Sequence, residues 1–467
     1  MNSTIPSNLS LNELLYLELE TIDNALCKGL FKRSKNSNAN VELLPITLFP
    51  SIFPKDKFQL AIDIQTEINL ISHRIANDYC FLQKTLEPVL CVDNFTKILF
   101  DIYETVLKNG IAQESSLGIF RSDYMLDHKT QKLQQIEMNT ISVSFGGLTP
   151  ILRKIHYSNL ETWNKSLSTD YSFKNSSEEI AKGIFLALLN YDNNLKSGVL
   201  FIVEDNPSNF SDQKQIEFSL KKLKPDIKII RKSFRSLSLN GFRLNENRLL
   251  FVDNLEIGVC YFRDGYTPEV FSEETIKIRE KIELSKAIKC PSIHYHLAGV
   301  KKIQQVLTDK EVLRKFCSNE DILNKVYSVF ANIYELNDET ASMVLKDPTR
   351  FVLKPQREGG GNNYYGNDIV NIIEPIKNSK ERDAFILMDL IEPQKIENYV
   401  ISSNKKISSL TKDKLIGELG IFGVILADQK TVFHNYEAGC LLRSKNPEVN
   451  EGGIVAGQGV LDTVFLY

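Results

Sequence analysis

The run FVLKPQREGGGNNYYG, from Phe351 to Gly366, gathers residue types that can hold a phosphate and a metal ion. A strand-like Phe351-Val352-Leu353 delivers Lys354, and Arg357, Glu358, Gly359, Gly360, Gly361, Asn362 and Asn363 follow. Consecutive glycines reach positive φ at no steric cost, so successive N–H groups can converge on an anion. Lys354 can meet phosphate as a point charge, and the Glu358 carboxylate is a hard oxygen ligand suited to Mg²⁺. Three glycines alone read as a flexible turn; the strand, the cations and the glutamate at this spacing favour a nucleotide–metal loop. It is not a Walker loop, because no Gly-Lys-Ser/Thr follows, and it is not a dinucleotide fingerprint.

Three further clusters carry chemistry. In QIEMNTISVSFGGL, Glu137 and Asn139 lie two apart on a strand-like run and share a face, offering a carboxylate and an amide oxygen to a metal or to water. Ser142 and Ser144 follow with hydroxyls. In the neighbouring FRSDYMLD, Arg121 and Asp123 read as a surface ion pair or as part of this site. YFRDGY places Arg263 and Tyr266 at a strand end, where open α/β sheets put ligand contacts and where an arginine can grip a carboxylate. Its plainer reading is an Asp-Gly turn. In LLRSK…EGGIVAG, Arg443 and Lys445 precede Gly452, Gly453 and Gly457, a pattern suited to a lid over an anionic ligand.

The elements that must position these residues change along the chain. The first hundred residues read mainly as helices, one capped by Ser10 or Asn12 and another running from about Lys57 to Leu90. The Asn/Ser-rich stretch from Arg33 to Asn40 reads as a loop. From Gly198 the pattern is strand (GVLFIVED), helix (SDQKQIEFSLKKL), strand (IKIIRK), then strands at RLLFVDN and IGVCYFRDGY. This predicts a small α/β unit with parallel pairing at its centre. The basic run from Lys221 to Lys232 reads as a solvated helix face and a strand edge. Helical signals from about Ser272 to Ala341 precede FVLKP, ILMDLIE and GELGIFGVILAD, and ISSNKKISSLTKDK reads as an exposed loop between two strands.

A chain of 467 residues with 42% hydrophobic and 25% charged residues is an ordinary globular protein of two to four domains. A net charge of −3 argues against a general nucleic-acid binder. Seven scattered cysteines without a Cys-x-x-Cys pair predict reduced, mostly buried thiols, and His294 with His296 lack a third ligand for zinc. No run approaches a membrane span, and the N-terminus has no early basic region, so the expected location is cytoplasmic.

Taken in order, RSDYM, QIEMNTIS, YFRDGY, LAGVKKIQQ, FVLKPQREGGGNN, ELGIFG and LLRSK with GGIVAG resemble the eukaryotic-type glutathione synthetases of the ATP-grasp superfamily. The likeness runs from about residue 121 to the C-terminus; the N-terminal region fits in length more than in motif. It implies an α/β (mixed α+β) ATP-grasp body from residues 1–196 and 300–467, an inserted α/β substrate-binding domain at 197–299, and a glycine-rich lid. The implied reaction joins glycine to γ-glutamylcysteine with ATP and Mg²⁺ through an acyl phosphate, in a homodimer, with no nucleic-acid or membrane partner.

Carried over by residue, the resemblance makes Glu137, Asn139 and Glu358 the Mg²⁺ ligands. Lys301 and Lys354 meet the ATP phosphates, which Gly359, Gly360 and Gly361 cover. Asn363, Tyr365, Met388, Ile391, Glu418, Lys445 and Glu451 serve the nucleotide. Ser142, Asn209, Gln213, Arg263, Tyr266, Ile454 and Val455 contact substrate, as do Arg121, Ser144 and Arg443, which are also the catalytic residues, with Arg121 near the transferring acyl group. This chain departs from the pattern at three places: Pro207 replaces a frequent glutamate, Glu451 replaces aspartate, and Ile454-Val455-Ala456 replaces Val-Ala-Ala. Ala456 favours glycine as acceptor; β-alanine or serine as acceptor, and a non-catalytic nucleotide-binding scaffold, are the competing readings.

Overall fold

The computed structural model describes residues 3–6, 9–34, 37, 39–163, 171–239, 241–357, 361–403, 410–450 and 452–467. Three mixed or antiparallel sheets carry the architecture. The largest has seven strands, in the order Lys395–Ile401, Ile46–Thr47, Gly459–Asp462, Val432–Lys445, Lys412–Ala427, Ser116–Leu126 and Leu133–Asn139. Lys395–Ile401 also pairs with Lys412–Ala427, so part of the sheet closes on itself. Its strands come from the beginning, the middle and the end of the chain, and the two longest form an antiparallel ribbon.

One face of this sheet is covered by the Lys55–Ala76 helix, whose Ile64, Ile68, Ile71 and Ile75 recur at helical spacing and are buried. The helical region expected as one stretch to Leu90 is two helices. The first ends at Asn77, and Asp78 caps the second, Tyr79–Leu90, by accepting from Phe81 N–H. At the N-terminus Ser10, rather than Asn12, caps Leu11–Lys28, in a reciprocal capping box with Glu13. Four strands of two or three residues between Phe31 and Phe53 interrupt the helices; such short pieces show no periodicity.

The six-stranded sheet holds Ile229–Lys232, Gly198–Ile202, Leu255–Phe262, Leu250–Val252 and Phe242–Leu244 in that order, with Ile288–Cys290 also paired to Leu255–Phe262. Its centre is parallel, as the alternating pattern predicts, and the basic 221–232 run ends on an edge strand. The helical reading of Ser272 to Ala341 requires correction: strands Ile288–Cys290 and Ile333–Glu335 break it. The former is hidden in sequence by Lys289, a fully buried lysine that donates to the Ser285 and Glu283 carbonyls at 2.8 and 3.1 Å.

The third sheet is antiparallel, ordered Ile333–Glu335, Phe385–Asp389, Phe351–Pro355 and Tyr364–Tyr365, backed by helices Asp338–Lys346 and Asn367–Ile376. Strands Lys395–Ile401 and Lys412–Ala427 flank the predicted Ser/Lys-rich loop, of which 404–409 lie outside the described residues. Among the described residues no helix is long and apolar enough to cross a membrane. All seven cysteines are free, four of them buried. His294 and His296 are core residues whose imidazoles burial pushes down to about 3, with His294 stacked on Tyr103.

Candidate active site

Strand register brings the first polar cluster together. Arg121 stands opposite Asn139, Asp123 lies opposite both Glu137 and Gly420, and Met125 is opposite Glu418, which is itself opposite Arg443. Cross-strand partners share a face, so these groups line one side of the seven-stranded sheet. Asp123 is the hub. Its carboxylate accepts from Arg121 Nε and Nη2 at 2.6 and 2.7 Å, Asn139 Nδ2 at 2.9 Å and Arg443 Nη2 at 3.1 Å. Arg443 also meets Glu418. The surface ion pair offered by sequence for Arg121 and Asp123 is therefore wrong: both are buried, because the strand is interior to the sheet. Gly420 is the floor that permits this packing, since a Cβ there would come within 2.9 Å of Asp123 Oδ1.

Above this face a cavity of about 860 Å³ opens between the seven-stranded and four-stranded sheets. Lys301, at the start of the Lys301–Val306 helix, pairs with Glu137, and Lys354 donates to the Ile136 carbonyl at 2.9 Å. Burial opposes ionisation of Glu137, but Lys301, Lys354 and Arg443 outweigh it and hold the carboxyl down to about 2. Asn363, Tyr365, Met388, Ile391, Glu418 and Lys445 also line the cavity. Ile136, Val352, Met388 and Ile391 form one apolar cluster in its wall. Lys445 Nζ and Tyr365 Oη both donate to the Asn450 carbonyl, at 2.6 and 3.3 Å, and Pro447, Val449, Asn450, Gly452 and Gly453 line that side.

Of the glycine loop, Gly361 has φ +95°, the left-handed region glycine favours. Glu358, Gly359, Gly360 and Glu451 lie outside the described residues. The donor set that remains fits a hard divalent cation. Glu137 is ionised, and Asn139 spends its amide nitrogen on Asp123, which leaves its Oδ1 as an oxygen ligand. Among the described residues no group of three or more His, Cys, Asp or Glu side chains forms a metal cage.

A second cluster sits beside the first, at the C-terminal ends of parallel strands Gly198–Ile202 and Leu255–Phe262. Arg263 Nη1 donates to the Val143 carbonyl and Nη2 to Ser144 Oγ at 2.8 Å, with Asp212 Oδ2 at 3.4 Å. Gln213 donates to Asn209, and Asn209 to Ser144, at 2.9 and 3.3 Å. Ser142, at φ +53°, donates to the Phe262 carbonyl at 3.3 Å. Tyr266 meets Glu204, whose carboxyl burial and Asp264 push up against the pull of Arg263. Arg121 Nη1 reaches the Ser144 carbonyl at 3.4 Å and so bridges the two clusters across the 140–147 loop.

Ile454 and Val455 follow the glycines Gly452 and Gly453. The Ile454 side chain is 2% exposed and belongs to the core, and the Val455 carbonyl accepts from Lys32 Nζ at 2.9 Å. Gly452 and Gly453, not these two, line the cavity. Sequence reasoning gave Asp123 no more than an ion pair with Arg121 and assigned no site role to Asp212, Met125, Ile136 or Val352. The two-residue spacing of Arg121 and Asp123 was a usable signal; apolar strand residues carry none that separates a pocket wall from core. Behind the strand bearing Arg443 and Lys445, buried Asp462 accepts from Ser444, Thr47 and Ser51 at 2.8, 2.8 and 2.6 Å. Burial raises that carboxyl to about 6 although these bonds oppose it.

A mixed α/β body with a cavity of this kind between a mixed and an antiparallel sheet, cations on one wall and an apolar slot on another, is an ATP-grasp fold. A solved glutathione synthetase-like effector from Globodera pallida superposes with a TM-score of 0.79 over 98% of both chains at 22% identity. The family model described as eukaryotic glutathione synthase, ATP binding domain, matches residues 12–466. The human glutathione synthetase is 38% identical over 97% of each chain, and that of Dictyostelium discoideum 37% identical over 96% of this chain and 98% of its own. The chain belongs to the eukaryotic glutathione synthase family.

Proposed function

We propose that this enzyme is an ATP-dependent ligase that joins glycine to γ-glutamylcysteine. The observation that carries the reading is the convergence of Glu137, Lys301, Lys354, Arg121 and Arg443 on one nucleotide-sized cavity, from strands and helices far apart in the chain. Two anions, a carboxylate and a triphosphate, must be brought into contact, and these cations offset their repulsion. Lys301 and Lys354 hold the phosphates; the apolar slot of Val352, Met388 and Ile391 takes the adenine. Glu137 and Asn139, with Glu358, would hold Mg²⁺, which supplies charge neutralisation at the transferring phosphoryl group.

In the reaction, an oxygen of the cysteinyl carboxylate bonds to the γ-phosphorus and the bond to ADP breaks. Arg121 and Arg443 orient that carboxylate and stabilise the charge that builds on it. The deprotonated glycine amine then bonds to the acyl carbon, and phosphate leaves with the former carboxylate oxygen. No protein nucleophile takes part. Pro447, Val449, Asn450, Gly452 and Gly453, on the cavity's edge, shield the acyl phosphate from water, which would otherwise hydrolyse it. Arg263, Ser142, Ser144, Asn209, Gln213 and Tyr266 hold the γ-glutamyl end, adjacent to the reacting centre through the Arg121–Ser144 contact.

Residues 197–299 act as the inserted substrate-binding domain, and the enzyme works in the cytoplasm as a homodimer; light scattering of the purified protein tests the assembly. The activity is tested by coupling ATP, γ-glutamylcysteine and glycine, β-alanine or serine, with products identified by mass spectrometry. Glutathione as the main product supports the reading; equal or greater use of β-alanine or serine overturns the choice of acceptor, and no peptide product overturns the activity.

A further inference from the structure

Behind Lys301 lies a second cavity, of about 10 Å³, lined by Thr96, Leu99, His296, Val300, Gln356 and Arg357 together with Lys301 itself. That is the room one water requires, on the order of 10–15 Å³ by this measure, provided two to four polar groups meet it. Three polar groups do. Thr96 Oγ1, His296 Nδ1 and Gln356 Nε2 are buried and have no hydrogen-bond partner among the described residues. Their side chains are 0%, 2% and 3% exposed. Native interiors pair nearly every buried polar atom with protein or with ordered water, so three unpaired atoms on one void the size of a water share one explanation.

The chemistry of the three groups is complementary to a single water. Gln356 Oε1 accepts from the backbone N–H of Lys302 at 2.9 Å, which fixes the amide and leaves its unpaired NH₂ as the donor this lining residue can offer. The Thr96 hydroxyl can donate or accept. Burial keeps the His296 ring neutral, its pKa pushed down to about 3, so Nδ1 supplies one donor or one acceptor as its tautomer requires.

Position gives the site its consequence. Val300, at the head of the Lys301–Val306 helix, provides no side-chain cap, and Gln356 supplies the acceptor instead. Gln356 lies two residues beyond Lys354, where the chain leaves the Phe351–Pro355 strand for the glycine loop. Its bond to Lys302 therefore ties the backbone carrying Lys354 to the backbone carrying Lys301. Thr96 and His296 belong to the Asn94–Asn109 and Ile293–Ala298 helices of the core. We propose that Thr96, His296 and Gln356 form a one-water site that locks the exit of the Lys354 strand to the start of the Lys301 helix, making them positioning residues for the nucleotide phosphates. The functional half rests on the nucleotide reading above; the water site does not.

Two measurements test it. In a high-resolution crystal structure of the whole protein, one ordered water lies within hydrogen-bond distance of all three atoms; an empty cavity, or side chains paired directly with one another, overturns the site. Thr96→Val keeps the shape and removes the hydroxyl. It raises KM for ATP roughly five- to tenfold with kcat and KM for γ-glutamylcysteine within about twofold, and Thr96→Ser restores the wild-type value. An unchanged KM for ATP in Thr96→Val, or no recovery in Thr96→Ser, overturns the positioning role. Calorimetry with ATP alone separates the two readings: no binding by wild type removes the nucleotide site itself, whereas equal binding by wild type and Thr96→Val removes only the lock.

Discussion

Replacing Asp123 by asparagine removes a negative charge where no water can substitute for it. The side chain is fully buried and holds four donors: two from Arg121, one from Arg443 and one from Asn139. Asparagine keeps the volume but presents one acceptor oxygen and an NH₂ group, so at least one guanidinium faces another donor. Gly420 stands opposite on the neighbouring strand, where any added Cβ would come within 2.9 Å of this carboxylate. Two guanidinium groups sharing one carboxylate sit roughly 5 Å apart and repel by about 3 kcal/mol at an effective dielectric constant near 20. Removing one partner of a buried pair costs about 3–5 kcal/mol, which agrees. Arg443 retains Glu418, so Arg121 bears the loss. Because Arg121 lines the cavity and contacts the Ser144 carbonyl, its displacement is expected to lower kcat/KM for γ-glutamylcysteine about 10²-fold. Steady-state phosphate release measures this, with thermal unfolding in parallel, where the midpoint falls by about 5 °C or more. An Asp123→Asn enzyme with kcat/KM within about threefold of wild type and an unmoved midpoint refutes the hub.

Arg263→Ala is expected to raise KM for γ-glutamylcysteine by about 10- to 100-fold and leave KM for ATP unchanged, because only the second cluster loses its cation; initial-rate kinetics at varied substrate decide it. Glu358→Ala, like chelation of Mg²⁺ by EDTA, should lower turnover by orders of magnitude with the melting temperature preserved, and calorimetric Mg²⁺ binding in the presence of a non-hydrolysable ATP analogue should vanish. Asp462 carries a pH prediction. Its folded pKa, about 6, lies above the ordinary 3.8, so between those values the folded protein binds the proton more tightly and gains stability as pH falls. Wild type gains about 1.4 kcal/mol from this group between pH 7 and pH 5, and Asp462→Asn does not. Urea unfolding at the two pH values should show the stability of wild type minus that of Asp462→Asn rising by that amount from pH 7 to pH 5; an unchanged difference contradicts the assignment.

How much of this was legible depended on whether local pattern carried the information. Lys354 at the end of an apolar strand, and Glu137 with Asn139 at a two-residue spacing, are recognisable because a strand's period sets the face without tertiary knowledge. The parallel centre of the 198–262 unit followed from alternation of element types. The cap at Ser10 or Asn12 was legible for the same local reason, whereas the helix break at Asp78 was read through. Asp123 was misjudged because only the sheet order reveals that its strand lies between two others. Lys289 and Arg279 hid a buried strand and a buried helix face, since full burial of a charge depends on distant partners such as Glu283. The one-water cavity draws Thr96, His296 and Gln356 from three segments that no spacing relates.

The central claim is that this cavity turns a peptide carboxylate into an acyl phosphate before an amine attacks it. Labelling the cysteinyl carboxylate of γ-glutamylcysteine with ¹⁸O and analysing the phosphate released with ATP and glycine tests this most directly. Transfer of a carboxylate oxygen into that phosphate, in step with glutathione formed, is the expected result. Phosphate carrying no label while glutathione accumulates would contradict it.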